Sequence, residues 1–573
     1  MVSDIDTRLS YRTGWPILPA LPVIHTDLDW SDYPDLQREI WAILINNQVD
    51  AASGVMICTR SNMGVPESDR KPTIFIIVGA QRDDEASRVQ AVRDIKNLLQ
   101  SRGIELAVEL YANGQYIVDD STFPIRSTDT DLLQWWELNI PLLVDTISPH
   151  NWLSIDFILR GSEKRPTVFI SADDANDWPW WIETIPFLRD HIPPHIDIEL
   201  KYMKHLDSGE DDVKLTGDKT IPTDDYECAI QMGASCGISG HPNSGVVGGF
   251  VKLEKDGRDL GHFALTNQHV LPKEVLTGEE EFTNSDGFKE HITDRPRLLP
   301  VVSPSDFDHN LKVQELEGRI ESTKYLVDNE DEIRAWGERR QEIIIENSYN
   351  LVQLRRELGT VSSLMRNVGQ IYEAELTTSM NEQFVRRWKE SFVPGEVTQY
   401  PWVLDWGLIQ FDRHIQPCTD IPESGENYEN LISEYCSLEP RTNYNVVQYG
   451  RTSTWRQGVV SAAVSVLNSK NLRGKCSKDK TPGIPVLCHS IVVEKTNNAE
   501  TKDPYTFLSP FDSGCWVFLN ERVKNPQILG SGLGCNPGSR VSYMMPMDCI
   551  IRRIEDSTGA KVIEPRKGPP KAN

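Results

Sequence analysis

The sequence predicts a multidomain α+β chain, with an N-terminal duplicated α/β region followed by an antiparallel β-barrel region that carries a helical-hairpin insertion. Three observations lead to that class. Arg70-Lys71-Pro72-Thr73-Ile74-Phe75-Ile76 recurs about 94 residues later as Lys164-Arg165-Pro166-Thr167-Val168-Phe169-Ile170, each opening a strand, helix, strand pattern. Beyond residue 230, short apolar runs alternate with glycine and charged turns, the pattern of antiparallel strands in a barrel. Between two groups of such runs, Leu351, Leu354, Leu358, Val361, Met365, Val368 and Tyr372 alternate spacings of three and four, the period of a left-handed coiled-coil seam.

Composition bounds the classes. At 573 residues the chain suggests two or three domains, and 39% hydrophobic content with 15 Trp supports packed cores. A formal net charge of −26 argues against nucleic acid or an anionic membrane as the main partner, because both require a cationic face. No run reaches the roughly 18 apolar residues of a membrane helix, and Gly14 to Pro22 is too interrupted by proline to be a signal peptide. The ten cysteines are scattered without metal-ligand spacing. The expectation is a soluble, intracellular protein, in the cytoplasm, with no metal or organic cofactor.

In chain order, residues 1 to about 30 read as an irregular, proline-rich arm, and Leu36 to Asn46 as a helix. The strand Thr73 to Val78 precedes a helix from about Asp84 to Ser101, stopped by Gly103, and the strand Glu105 to Leu110 follows. Val89, Val92, Ile95, Leu98 and Leu99 share one helix face, as packing on a sheet requires. The second copy adds a Trp-rich helical stretch ending near His191 and the strand Ile196 to Leu200. Neither first strand is followed by a glycine-rich phosphate loop. Residues 1–220 therefore read as an interaction or regulatory region, with the charged stretch Asp207 to Asp225 as a linker.

The second region, 221–560, opens with strands at Gly233 to Ile238 and Gly245 to Leu253. The coiled-coil hairpin, about 305–393, pairs the seam with Leu316 and Ile320 between Pro304 and Pro394, as a packed strut or as an arm for a protein partner or self-association. Strands return at Val446 to Val460, Leu487 to Val493, Gln527 to Gly534 and Arg540 to Pro546. Met547 to Ile554 begins a terminal helix and 561–573 is a flexible tail.

Three segments of the second region carry chemistry. In Pro510-Phe511-Asp512-Ser513-Gly514-Cys515-Trp516 a serine sits in a tight turn that runs into an apolar strand. A serine hydroxyl needs a base to take its proton and a third group to orient that base. His269, in Leu265-Thr266-Asn267-Gln268-His269-Val270, is the best base. Asp405, alone in the apolar run Trp402 to Phe411, must be paired, because burying a bare carboxylate costs several kcal/mol.

These segments resemble those of chymotrypsin-like (trypsin-fold) serine proteases, especially intracellular fungal and bacterial members. Leu265 to Val270 is similar to the family's L-T-x-x-H-V, Asp405 to Ile409 to its D-[IVLW]-A-[LV]-[IL], and Asp512-Ser513-Gly514 to its G-D-S-G, all in family order. Val446 to Val460 is similar to the segment that opens the second barrel. Val270 stands where secreted members usually have a cysteine, which fits a reducing compartment.

The resemblance implies a double barrel of trypsin type and a serine endopeptidase acting on protein or peptide substrates through His269, Asp405 and Ser513. It also implies an oxyanion hole formed by the N–H groups of Phe511 and Ser513. The substrate pocket would be formed by Phe507 at its floor and by Gly530, Gly532 and Tyr543. An apolar floor disfavours cleavage after Lys or Arg and suits a small or apolar side chain. The chain departs from the family at 511, where glycine is usual. A bulky residue resists positive φ, so a flipped or shut hole in the resting state is the expected consequence. The alternative is a catalytically impaired pseudoprotease that serves as a protein-interaction scaffold.

Overall fold

The computed structural model describes residues 5–568 except 10–11, 50–53, 63–64, 79–84, 113–120, 205, 207–220, 227–229, 242, 272–288, 292–299, 329–339, 380–399, 413–414, 416–417, 419–433, 473–482, 494–505 and 521–525. Most of its regular structure is β-sheet, with a few helices. Two compact units divide the chain: Met1–Phe123 with Asn139–His205, and Pro124–Leu138 with Leu206–Asn573. Pro124–Leu138 thus groups with the second unit rather than with the N-terminal region. Most of the expected linker, Asp207 to Asp225, lies outside the described residues.

The first unit begins with β1 (Asp6–Leu9), β2 (Arg12–Trp15) and β3 (Ile24–Asp27), so the expected irregular arm is corrected to three short strands. Pro16, Pro19 and Pro22 fall between β2 and β3, where their missing N–H groups disrupt no ladder. There follow α1 (Leu36–Asn46), β4 (Val55–Ser61), β5 (Lys71–Val78), α2 (Glu85–Ser101) and β6 (Ala107–Ala112), in a sheet of order β1-β2-β6-β5-β4-β3. Leu36, Ile40 and Leu44 of α1 share a core with Val92, Ile95 and Leu99 of α2 and with Ile74, Ile76 and Val108. Gly103 takes φ +65° and lets Ile104 N donate to Leu99 O at 3.0 Å, which stops α2.

The rest of the first unit has the same succession. It comprises β7 (Thr122–Phe123), the part of α3 (Thr130–Ile147) from Asn139 onward, β8 (Trp152–Arg160), β9 (Arg165–Ala172), α4 (Ile185–His191) and β10 (Asp197–Tyr202). The pairs β4–β5 and β8–β9 are antiparallel; β5–β6 and β9–β10 are parallel. Arg60 binds Glu109 and lies over the Phe75 ring, and Arg160 binds Glu199 and lies over the Phe169 ring.

The second unit contains β11 (Ser235–Ile238), β12 (Gly245–Val246), β13 (Gly249–Lys255), β14 (Arg258–Thr266), β15 (Lys289–His291) and β16 (Pro300–Val302). Two helices, α5 (Asp306–Asp328) and α6 (Arg340–Ser363), precede β17 (Asn367–Ser379) and β18 (Trp402–Phe411). The strands pair in the order β12-β11-β16-β17-β18-β14-β13 around Cys236, Ile238, Ala264, Val301 and Ile409. A second group follows: β19 (Glu434–Tyr435), β20 (Tyr444–Gly450), β21 (Thr454–Asn468), β22 (Pro485–Val492), β23 (Trp516–Leu519), β24 (Gln527–Asn536) and β25 (Val541–Pro546). Its pairings run β20-β21-β22-β25-β24-β23, and β23 also pairs with β20, around Val446, Val460, Ile491, Val517 and Leu529.

Two expectations are corrected here. Leu354 and Val361 pack with Leu316, Ile320 and Leu358, together with Ile221 and Tyr226, but α6 ends at Ser363. Met365 is 88% exposed, and Val368 and Tyr372 lie on β17, whose long ladder with β18 overrides the helical spacing. The expected end of the hairpin near Pro394 lies outside the described residues. The described part of the expected flexible tail, 561–568, instead forms β26 (Lys561–Glu564), paired with β13, and β27 (Arg566–Lys567), paired with β19, after the helix α7 (Met547–Thr558).

Candidate functional site

Strand β14 ends at Thr266 and runs into a single turn of 3-10 helix, Gln268–Val270, that presents His269. Both flanks of the turn are fixed. Thr266 Oγ1 donates to Val246 O at 2.8 Å, Asn267 Nδ2 donates to Gly532 O at 2.8 Å, and Val270 and Leu271 are buried in the first sheet's core.

The pairing of Thr266 with Gly407 puts the next turns of the β14 exit beside Asp405 on β18. Asp405 is 1% exposed, and its carboxylate takes three donors. Oδ2 lies 2.5 Å from His269 Nδ1, and Oδ1 accepts Gln268 N at 2.5 Å and His269 N at 3.2 Å. A buried carboxylate is tolerable only with partners of this kind. The contact at Nδ1 fixes the orientation of the ring.

Ser513 lies at the start of the segment leading into β23. Its carbonyl accepts Val246 N at 3.1 Å, and Gly514 N donates to Gly532 O at 2.9 Å. Gly514 has φ +97°, and a Cβ there would stand 2.9 Å from Thr266 Oγ1 and 3.3 Å from Asn267 N. Only glycine allows the serine loop this close to the residues that precede His269. The loop that carries Ser513 therefore runs beside Thr266 and Asn267, the two residues before the turn. The Ser513 hydroxyl itself donates to Leu533 O at 3.1 Å.

The loop before Ser513 is held from several sides. Asp512 is fully buried; Oδ1 accepts Thr452 N at 2.8 Å and Oδ2 accepts Ser509 N at 2.9 Å. Burial raises its pKa, opposed by these bonds and by Arg456. Phe511 adopts φ +70°, the left-handed conformation that costs a non-glycine residue about 1–2 kcal/mol. Its ring stacks on Phe307 with centroids 4.8 Å apart, and the Arg451 guanidinium lies 5.0 Å from the ring centre. The Pro510 carbonyl accepts Thr452 Oγ1 at 2.9 Å. Because a trans peptide is planar, the Phe511 N–H points away from Thr452.

The expected pocket residues have a different setting from the one anticipated. Phe507 and Tyr543 are both 0% exposed, and Phe507 belongs to the second sheet's core with Val460 and Ile491. Neither offers surface to a substrate in this conformation. Gly530 and Gly532 are also buried, with Met545 O and Leu508 filling the space a side chain would need.

Residues that sequence reasoning missed are Asn267, Phe307, Asp308, Arg451 and Thr452. Arg451 pairs with Asp308, whose Oδ2 also accepts the hydroxyls of Ser235, of Ser244 at 2.9 Å and of Ser305 at 3.0 Å. Burial lowers the Arg451 pKa to about 10, with Asp512 opposing, so it stays cationic at neutral pH. Arg451, next to Gly450 at the end of β20, was the one available signal; Asp308 stands among other charged residues at the start of α5.

Two other titratable side chains of the second unit are strongly shifted by burial. Burial pulls His489, whose ring lies tilted against Trp402, down to about 3, and pushes the Cys515 thiol far above its ordinary range. Among the described residues no cluster of His, Cys, Asp and Glu could hold a metal ion, and no helix is long and apolar enough to cross a membrane.

No family model and no curated protein matches the chain. Solved structures similar to part of it include "A glutamic acid specific serine protease utilizes a novel histidine triad in substrate binding", at 15% identity over 28% of this chain and 67% of that one, with a TM-score of 0.18. Another is a Nocardiopsis protease, at 13% identity over 34% of this chain and 79% of that one, with a TM-score of 0.19.

Proposed function

We propose that the second unit is a serine endopeptidase of the chymotrypsin-like type, with its two groups of strands forming the double barrel. The observation that carries this reading is the Asp405 carboxylate bound at once to His269 Nδ1 and to the backbone that presents His269, beside the Ser513 loop. In the reaction, the Ser513 hydroxyl turns from Leu533 O toward His269 Nε2, loses its proton there, and attacks the peptide carbonyl. His269 returns the proton to the leaving amine, and water then hydrolyses the acyl-enzyme. Asp405 holds the tautomer and stabilises the imidazolium. The N–H groups of Phe511 and Ser513 would receive the oxyanion, each such donor contributing a few kcal/mol. Positions 507 and 508 are Phe and Leu, so no carboxylate stands there to receive a basic cleavage-site residue.

A second reading, a pseudoprotease scaffold, is favoured by one observation: the Ser513 hydroxyl is engaged by Leu533 O and is only 2% exposed. The first unit fits either reading as an interaction or regulatory region built from two copies of one helix, strand, strand, helix, strand motif. A fluorophosphonate probe separates the two. Labelling of the full chain that vanishes in Ser513→Ala supports the enzyme, and folded wild-type protein that never labels supports the scaffold.

A further inference from the structure

We infer that the first turn of α5 positions the oxyanion-binding peptide, through a relay from Asp308 to Arg451 to Thr452 to the Pro510 carbonyl, with Phe307 clamping the Phe511 ring. The inference rests on the endopeptidase reading of the same site. Each link of the relay is a direct contact: the Asp308–Arg451 ion pair, Arg451 Nη1 to Thr452 Oγ1 at 2.9 Å, and Thr452 Oγ1 to Pro510 O at 2.9 Å.

The relay fixes the plane of the peptide that joins Pro510 to Phe511. A peptide whose carbonyl is held on one side must present its N–H on the other, so rotating that N–H out of place would break the Thr452 bond. The clamp acts on the neighbouring torsion. Phe511 at φ +70° is strained for a side chain with Cβ, and glycine would adopt the same conformation freely. Stacking on Phe307 and the cationic face of Arg451 favour the conformer that the backbone alone disfavours.

Asp308 is itself immobilised by Ser235, Ser244 and Ser305, so the relay is anchored in the sheet that carries His269. Phe307, Asp308, Arg451 and Thr452 are thus positioning residues. They touch no reacting atom, and they replace with side-chain contacts the freedom that a glycine at 511 would supply.

The test measures the second-order rate constant for fluorophosphonate labelling of the full chain, with thermal melting to verify folding. Phe307→Ala is expected to slow labelling about tenfold, the size of a lost aromatic pair, while Phe307→Tyr restores it. In a Phe511→Gly background the same Phe307→Ala change is expected to alter the rate less than twofold, since no ring remains to be clamped. Thr452→Val, which preserves shape and removes the donor, is expected to slow labelling by a similar factor, and Thr452→Ser to recover it.

Equal slowing by Phe307→Ala in both backgrounds would show a general structural role and overturn the inference. So would unchanged labelling in Phe307→Ala and Thr452→Val. If wild type and Phe511→Gly both fail to label, the endopeptidase reading itself falls, an outcome distinct from wild type labelling normally while the variants show no coupling. Should Phe307→Ala not fold, Phe307→Leu and the Thr452 pair carry the same comparison.

Discussion

Asp405→Asn separates reactivity from stability at a single buried position. The native carboxylate satisfies two backbone N–H groups through Oδ1 and the imidazole through Oδ2. Asparagine keeps an oxygen for Gln268 N and His269 N but offers an N–H to Nδ1. The ring must then accept at Nδ1 and carry its proton on Nε2, where it cannot take the proton of Ser513. The wrong tautomer in a Ser-His-Asp site costs about 10⁴ in rate. Stability should fall only by roughly 1–2 kcal/mol, because each donor keeps a partner and loses just the charge assistance. Asp405→Ala strands all three donors in the interior and should cost about 3–5 kcal/mol. Fluorophosphonate labelling rates and urea unfolding of the three proteins provide the measurement. The reasoning is refuted if Asp405→Asn labels at the wild-type rate, or if it is as unstable as Asp405→Ala.

Two further expectations concern buried charges. Burial raises Glu137 to about 7, outweighing its bonds to Arg441, so the folded state holds a proton there that the unfolded state releases near 4.5. Wild-type stability from this group is fully present below about 4.5 and is lost as pH rises through about 7, by up to about 3 kcal/mol; Glu137→Gln should flatten that fall in unfolding curves taken from pH 4.5 to 8, and an unchanged slope would count against it. In the first unit, burial alone would raise Glu109, but Arg12 and Arg60 override it and hold its pKa below the usual range. Glu109→Ala leaves both guanidinium groups buried without their acceptor and should destabilise that unit by about 3–5 kcal/mol, read by faster amide exchange in β2, β4 and β6; wild-type protection in those strands would refute this.

Elements whose periodicity matched their burial were legible in the sequence. The helix Leu36–Asn46 and the face Val92, Ile95, Leu99 are examples, since one stripe packs on one core. The heptad reading failed past Ser363 because an alternation of three and four also passes through Met365, Val368 and Tyr372 by coincidence, and pairing with β18 decides their state. The strands before residue 30 were illegible because prolines between short strands resemble prolines in a loop. His269, Asp405 and Ser513 stood out since each places a polar group against an apolar strand. Asp308 and Phe307 gave no such signal: both open a helix rich in charge, and their partners Arg451 and Phe511 lie far along the chain.

The proposed site draws His269 and Asp405 from one group of strands and Ser513 from another, so its function requires the two groups to hold a fixed register. Packing of apolar strands alone is non-directional and would tolerate sliding. Directional contacts cross at several separate places: Val246 N to Ser513 O, Asn267 Nδ2 to Gly532 O, and the pair of Asp308 with Arg451. Gly248 adds a steric stop, since a Cβ there would collide with Gly514 O at 2.0 Å. Two contacts would leave a hinge about the line joining them; a third away from that line removes it. Beside the bond of Leu487 N to Pro401 O at 2.8 Å, the helical insertion adds the pair of Asp308 with Arg451, which gives α5 a part in aligning the site that a strut packed on the outside of the sheet would not have.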